Sequence, residues 1–84
     1  QGADVNAKDN LGRTALTYAA EKNNFEMVKH LINQGAKVDA QDNNGDTALI
    51  WAAYNNNFEM VEYLIEHNAN VNAKNKDGYT ALIW

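Results

Sequence analysis

The chain contains no cysteine and no serine. The first absence removes disulfide frameworks and thiolate zinc sites, and together the two remove the commonest catalytic nucleophiles. Cations are few: seven Lys and Arg stand against eleven Asp and Glu, for a formal net charge of −4, and they form no stripe that a phosphate backbone would follow. Nucleic acid is therefore not an expected partner. Long apolar runs are also missing: the longest, residues 48–54, is far short of the roughly 20 residues a membrane span needs. Gln1 does not open a signal peptide and no basic amphipathic helix suits a membrane surface, so no membrane partner is expected. With 45% hydrophobic and 21% charged residues over 84 positions, the composition is that of one small soluble domain. The chain lacks an initiator Met and stops inside a phrase it has used before, so it is expected to be a piece of a longer protein.

That phrase is TALIW, at residues 47–51 and again at 80–84, a shift of 33. The same shift aligns Asp9, Asp42 and Asn75, then Gly12, Gly45 and Gly78, and it superposes NNFEMV at 23–28 on NNFEMV at 56–61. Residues 9–41 and 42–74 agree at 19 of 33 positions. Two full units are expected, 9–41 and 42–74, preceded by the tail of another at 1–8 and followed by the start of a further one at 75–84, all within one domain over 1–84.

Each unit has a physical grammar. In ALTYAAEK, a helical period of about 100° per residue gathers Leu16, Ala19 and Ala20 on one side and Tyr18, Glu21 and Lys22 on the other. Thr14, Thr47 and Thr80 stand where an N-cap oxygen belongs. FEMVKHLINQ collects Phe25, Met27, Val28, Leu31 and Ile32 on one face of a second, amphipathic helix, and the spacing of Asn23 to Glu26 predicts a capping box at its start. Gly35 follows as a C-terminal cap needing positive φ, with Asn68, a residue that tolerates that region, at the equivalent place. Between units, GAKVDAQDNNGD predicts a hairpin-like connection.

These linked motifs resemble the ankyrin repeat family. DNNGDTALIWAA is similar to D-x-x-G-x-T-P-L-H-x-A-A, NNFEMVEYLI to G-H-x-E-x-V-x-x-L-L, and GADVNAKD completes the pattern. The resemblance implies an all-α repeat solenoid in which each 33-residue unit is a β-turn or hairpin plus two antiparallel helices, an intracellular setting, and a non-catalytic module binding a partner protein or peptide. Departures are the family's Pro, replaced by Ala15, Ala48 and Ala81, its His, replaced by Thr17, Ile50 and Ile83, and its inter-helix Gly, replaced by Asn23 and Asn56. Asn6 and Asn72, in VNAK, resemble the family asparagine that is open to hydroxylation in animal cells.

Tests for chemistry are negative. Taking Gly45 as the glycine of a calcium loop puts Ala40 and Trp51 at ligand positions, and His30 and His67 have no paired ligand at helical spacing. Glu26 and Glu59 are equivalent copies rather than an acid/base pair. No metal, cofactor or catalytic residue is expected.

A binding surface is. Tyr18, Trp51 and Trp84 lie opposite the small-residue face of the inner helix, and the period stacks them into an aromatic row, joined by Tyr54 with Glu21, Lys22 and Asn55 alongside. The row either packs between units or presents Trp51 and Tyr54 to a partner. In the resembled family this side lines a concave groove, and the turn tips share in recognition. The matching tip residues are Leu11 and Arg13, then Asn43, Asn44 and Asp46, then Lys76, Asp77 and Tyr79, with Leu11 and Tyr79 standing out as apolar or aromatic residues at a tip. The alternative is a structural spacer or scaffold that self-associates head-to-tail through its open ends.

Overall fold

A computed structural model describes residues 5–81. Four helices follow one another, α1 (Ala15–Glu21), α2 (Phe25–Asn33), α3 (Ala48–Tyr54) and α4 (Phe58–Glu66), and no strand is present among the described residues. α1 packs on α2 and α3 on α4, and the two pairs meet through α1 and α3. The protein is an all-α repeat solenoid measuring 38 × 26 × 20 Å.

The helices begin where hydroxyls and amides can replace missing backbone partners. Thr14 and Thr47 are extended, and each Oγ1 accepts the N–H three residues on, from Thr17 and Ile50, at 3.2 Å. Thr17 reciprocates: its Oγ1 accepts the Thr14 N–H at 2.9 Å and donates to the Thr14 carbonyl at 3.0 Å. Ile50 has no oxygen with which to do this, so α3 starts on a single side-chain cap.

At α2 and α4 the expected box from Asn23 to Glu26 does not form. The N-caps are one residue later, Asn24 and Asn57, whose Oδ1 atoms accept from Met27 and Met60 N–H at 3.2 and 3.1 Å. Asn23 and Asn56 instead take φ of 61° and 59°. They turn the chain between antiparallel helices in the left-handed region, which asparagine tolerates better than other residues with a Cβ. At the other end Gly35 and Asn68 have φ of 95° and 73°, as expected. Ala36 and Ala69 N–H then reach back to Leu31 and Leu64 carbonyls at 3.0 Å, closing a Schellman-type end.

The core runs along the line of units. Leu16, Ala20, Val28, Ala48, Leu49, Ala52, Met60 and Leu64 are sealed from solvent, and the alanines let α1 and α3 approach closely. Thr80 is half-buried, but Leu82, Ile83 and Trp84, which its phrase would continue into, lie outside the described residues.

Candidate functional site

The turn tips are built by one device used three times. In the first, Asp9 Oδ1 accepts the N–H groups of Leu11 and Arg13, both at 2.9 Å; Asp42 does the same for Asn44 and Asp46 at 2.9 Å, and Asn75 for Asp77 and Tyr79 at 2.9 and 3.0 Å. Neighbouring tips are joined edge to edge. Asn43 N–H donates to Leu11 O, and 33 residues later Lys76 N–H donates to Asn44 O, each at 2.9 Å. The approach is close enough that a Cβ on Gly12 would sit 2.7 Å from Asn43 N and 2.3 Å from Asn43 Oδ1, and Gly12 also has φ of 76°.

This joint occupies some of the polar groups singled out above. Asn43 Nδ2 donates to Asn10 O at 3.1 Å. Asp46 is buried, and its carboxylate accepts from Asn75 Nδ2 at 2.9 Å and Asn44 Nδ2 at 3.1 Å. Asn55 Nδ2 donates to Ala20 O at 3.0 Å and Glu21 O at 3.4 Å, tying the end of α1 to the end of α3. Asn6 Oδ1 accepts Lys37 N–H at 2.7 Å, and Asp39, its equivalent one unit on, accepts Asn70 N–H at the same 2.7 Å. Asn72, the next equivalent, is exposed.

Leu11, Lys76, Asp77 and Tyr79 are exposed at the tips. On the inner helices Tyr18 and Tyr54 are exposed, while Trp51 is half-buried against the core. Trp51 and Tyr54 stand edge to face, ring centres 5.9 Å apart at 89°. Trp51 Nε1 is sealed without an acceptor among the described residues. Trp84 lies outside them.

The fold brings Asp46, Trp51, Tyr54, Asp77 and Tyr79 around one hollow of about 250 Å³ between α3 and the tips. Asn44 and Ile50 also border it; Ile50 was noted in the sequence only as a substituted histidine position. On the other side of Trp51, Leu11, Arg13, Glu21 and Asn43 border a second hollow of about 290 Å³. Tyr18 and Lys22 lie further along, beside Ala19 and Met27.

Charge differs between the units. The Arg13 guanidinium lies 4.9 Å from the Tyr18 ring centre, its Nε 2.9 Å from Asp9 Oδ2 and its Nη1 3.7 Å from Glu21 Oε1, and Lys22 Nζ is 5.5 Å from the same ring. Hydrogen bonding from the Arg13 backbone N–H, with that from the guanidinium and the Leu11 N–H, holds the Asp9 carboxyl below its ordinary range, and the Asp9 bond in turn raises Arg13.

Two features of the outer helices involve pairs of units and are not visible on the wheel of a single helix. Phe25 meets Tyr63 edge to face across the unit boundary at 5.7 Å, with Lys29 Nζ 4.7 Å from the Phe25 ring centre. Asn57, the cap of α4, also donates through Nδ2 to Asn23 Oδ1 at 2.9 Å. A comparison of position 25 with positions 30 and 63 across the 33-residue shift was the available signal for the first.

Among the described residues no helix is long and apolar enough to cross a membrane. Residues 1–75 match the family model described as ankyrin repeats (3 copies). A stretch of 30 residues, 36% of this chain, is 67% identical to a protein of Rickettsia bellii (strain RML369-C) named as an ankyrin repeat protein, of which it covers 18%.

Proposed function

This chain belongs to the ankyrin repeat family, whose members are generally non-enzymatic protein–protein interaction modules, and we propose that it recognises a partner polypeptide through its concave inner-helix face and turn tips without chemistry of its own. The observation that carries this is the exposed Tyr54 ring, braced edge to face by Trp51 beside an open hollow. Braced aromatics offer contact area at little rotamer cost, a hallmark of binding hot spots. Tyr18, Glu21, Lys22, Leu11, Arg13, Asn43, Asn44, Lys76, Asp77 and Tyr79 extend the surface, and Trp84 is assigned to it from its sequence position. Asn55 contributes by holding neighbouring units in place, and Asp46 does so while also lining the hollow. The unit boundaries 9–41 and 42–74 suit this arrangement, because the tip-to-tip bonds recur at that interval.

The experiment is selection of displayed 12-residue peptides on the folded chain, followed by affinity measurement against Tyr54→Ala and Tyr18→Ala, with circular dichroism as the fold control. Loss of affinity in a folded Tyr54→Ala supports the concave face. Binders that ignore both substitutions argue against it.

A second function is favoured by one observation. Phe58 is 73% exposed on one flank and Met27 44% exposed on the other, although their equivalents Phe25 and Met60 are covered between units. The two flanks are complementary by the same periodicity, so repeats before and after them, or a second copy stacked head-to-tail, would cover both. Sedimentation equilibrium decides: a monomer at all concentrations counts against the scaffold role.

A further inference from the structure

We propose that the hollow between α3 and the tips receives the arginine or lysine side chain of a partner polypeptide, held over the rings of Tyr54 and Tyr79 and against the carboxylates of Asp77 and Asp46. The ligand chemistry comes from a comparison of the protein with itself, resting on the concave-face recognition proposed above. In the first unit the inner-helix aromatic, Tyr18, has two cations near its ring, Arg13 at 4.9 Å and Lys22 at 5.5 Å. Shifted by 33, Tyr18 becomes Trp51, Arg13 becomes Asp46 and Lys22 becomes Asn55. The second unit therefore keeps the aromatic and doubles it with Tyr54, the following tip adds Tyr79, and one cation is replaced by an anion and the other by a neutral amide.

The electrostatics agree. Asp46 is buried and accepts hydrogen bonds from two neutral amides, those of Asn44 and Asn75, rather than from a cation. A buried carboxylate partnered only by dipoles gains when a cation arrives nearby. Asp77 lines the same hollow from the exposed tip. Faces of electron-rich rings and two carboxylates favour a positive charge, and aromatic walls accept the alkyl stem that carries it. At about 250 Å³ the hollow is below the roughly 300–1,000 Å³ typical of small-molecule sites, and suits one side chain reaching in from a chain that lies across the groove.

The test is a heteronuclear NMR titration of the whole chain with the peptide acetyl-Gly-Arg-Gly-amide, against its uncharged isostere acetyl-Gly-citrulline-Gly-amide. The arginine peptide is expected to shift the Trp51 indole N–H and the Tyr54, Asp77 and Tyr79 amides saturably. The citrulline peptide should bind about tenfold more weakly. Asp77→Asn, at an exposed tip whose turn is made by Asn75, should weaken the arginine peptide about threefold or more and leave the spectrum otherwise intact. Equal binding of the two peptides, shifts centred elsewhere, or indifference to Asp77→Asn overturns the proposal. Its failure is separable from that of concave-face recognition: selected peptides that lack basic residues yet lose affinity on Tyr54→Ala would leave recognition standing and remove the cation.

Discussion

Met27 and Met60 are the same residue in the same place of successive units, yet Met27 is 44% exposed and Met60 is sealed. Met60 lies on the flank of α4 that meets the preceding unit, and the corresponding flank of α2 is open among the described residues. One sequence position thus has two energetic values, set by its neighbour rather than by its own helix.

That contrast makes the first prediction. Met60→Ala should destabilise the protein by about 2–5 kcal/mol, as for other buried large-to-small changes, and Met27→Ala by no more than about 0.5–1 kcal/mol. Urea denaturation of the two variants measures both, and similar losses would contradict the packing described.

Gly12 supplies the second. Alanine there meets both a positive φ and the Asn43 backbone, so the left-handed strain of about 1–2 kcal/mol is joined by disruption of the tip joint, about 1 kcal/mol more. Gly35 has positive φ but open space around its Cβ. Gly35→Ala should therefore cost only the strain, and Gly35→Asn, which copies Asn68, less again. Thermal unfolding should rank Gly12→Ala lowest of the three.

Asn57 and Asn24 separate capping from cohesion. Both cap a helix, a role whose loss costs about 1 kcal/mol, but Asn57 alone also bonds back to Asn23. Asn57→Ala should be the more destabilising by about 0.5–1 kcal/mol, and in a double-mutant cycle the excess should vanish when Asn23 is first replaced by Gly.

The fourth prediction concerns acid. Asp9 has its folded pKa lowered, chiefly by the Arg13 backbone N–H and then by the guanidinium. A carboxylate depressed on folding adds stability above its unfolded pKa, and that stability is lost as the pH falls through the folded value. Asp9→Asn keeps the turn, as Asn75 does in the third copy, but cannot titrate. The wild-type advantage over Asp9→Asn should be present at about pH 6 and shrink as the pH falls below the ordinary carboxylate range. Arg13→Ala should return the Asp9 midpoint only part of the way, because the backbone donor remains.

Much of the fold was legible because its determinants are local. Thr14 and Thr47 stand at the only hydroxyl before each apolar run, Gly35 and Asn68 share a tolerance for positive φ, and the small-residue face of α1 follows from its period. The second caps were displaced by one position because Asn23 and Asn24 are chemically identical, and only the path of the chain decides which turns and which caps. What lies between units was not legible from single helices. Asn55 looked like a surface amide on a wheel, and its bond to Ala20 O spans 35 residues. The surface row of aromatics was visible as a pattern; the half-burial of Trp51 against the core, which makes it a brace for Tyr54, was not.

The joint between tips combines a main-chain bond that recurs from unit to unit with side-chain bonds that change. Lys8 Nζ reaches Gln41 O at 3.1 Å, and one interval later Gln41 Nε2 reaches Lys74 O at the same 3.1 Å, a different side chain satisfying an unchanged carbonyl beside an unchanged amide bond between tips. A gene that gains or loses 33 codons in register would keep the main-chain donors of the joint opposite their acceptors. Array length and surface chemistry can then diversify separately, the first by recombination and the second by point mutation, with neither erasing what the other has made.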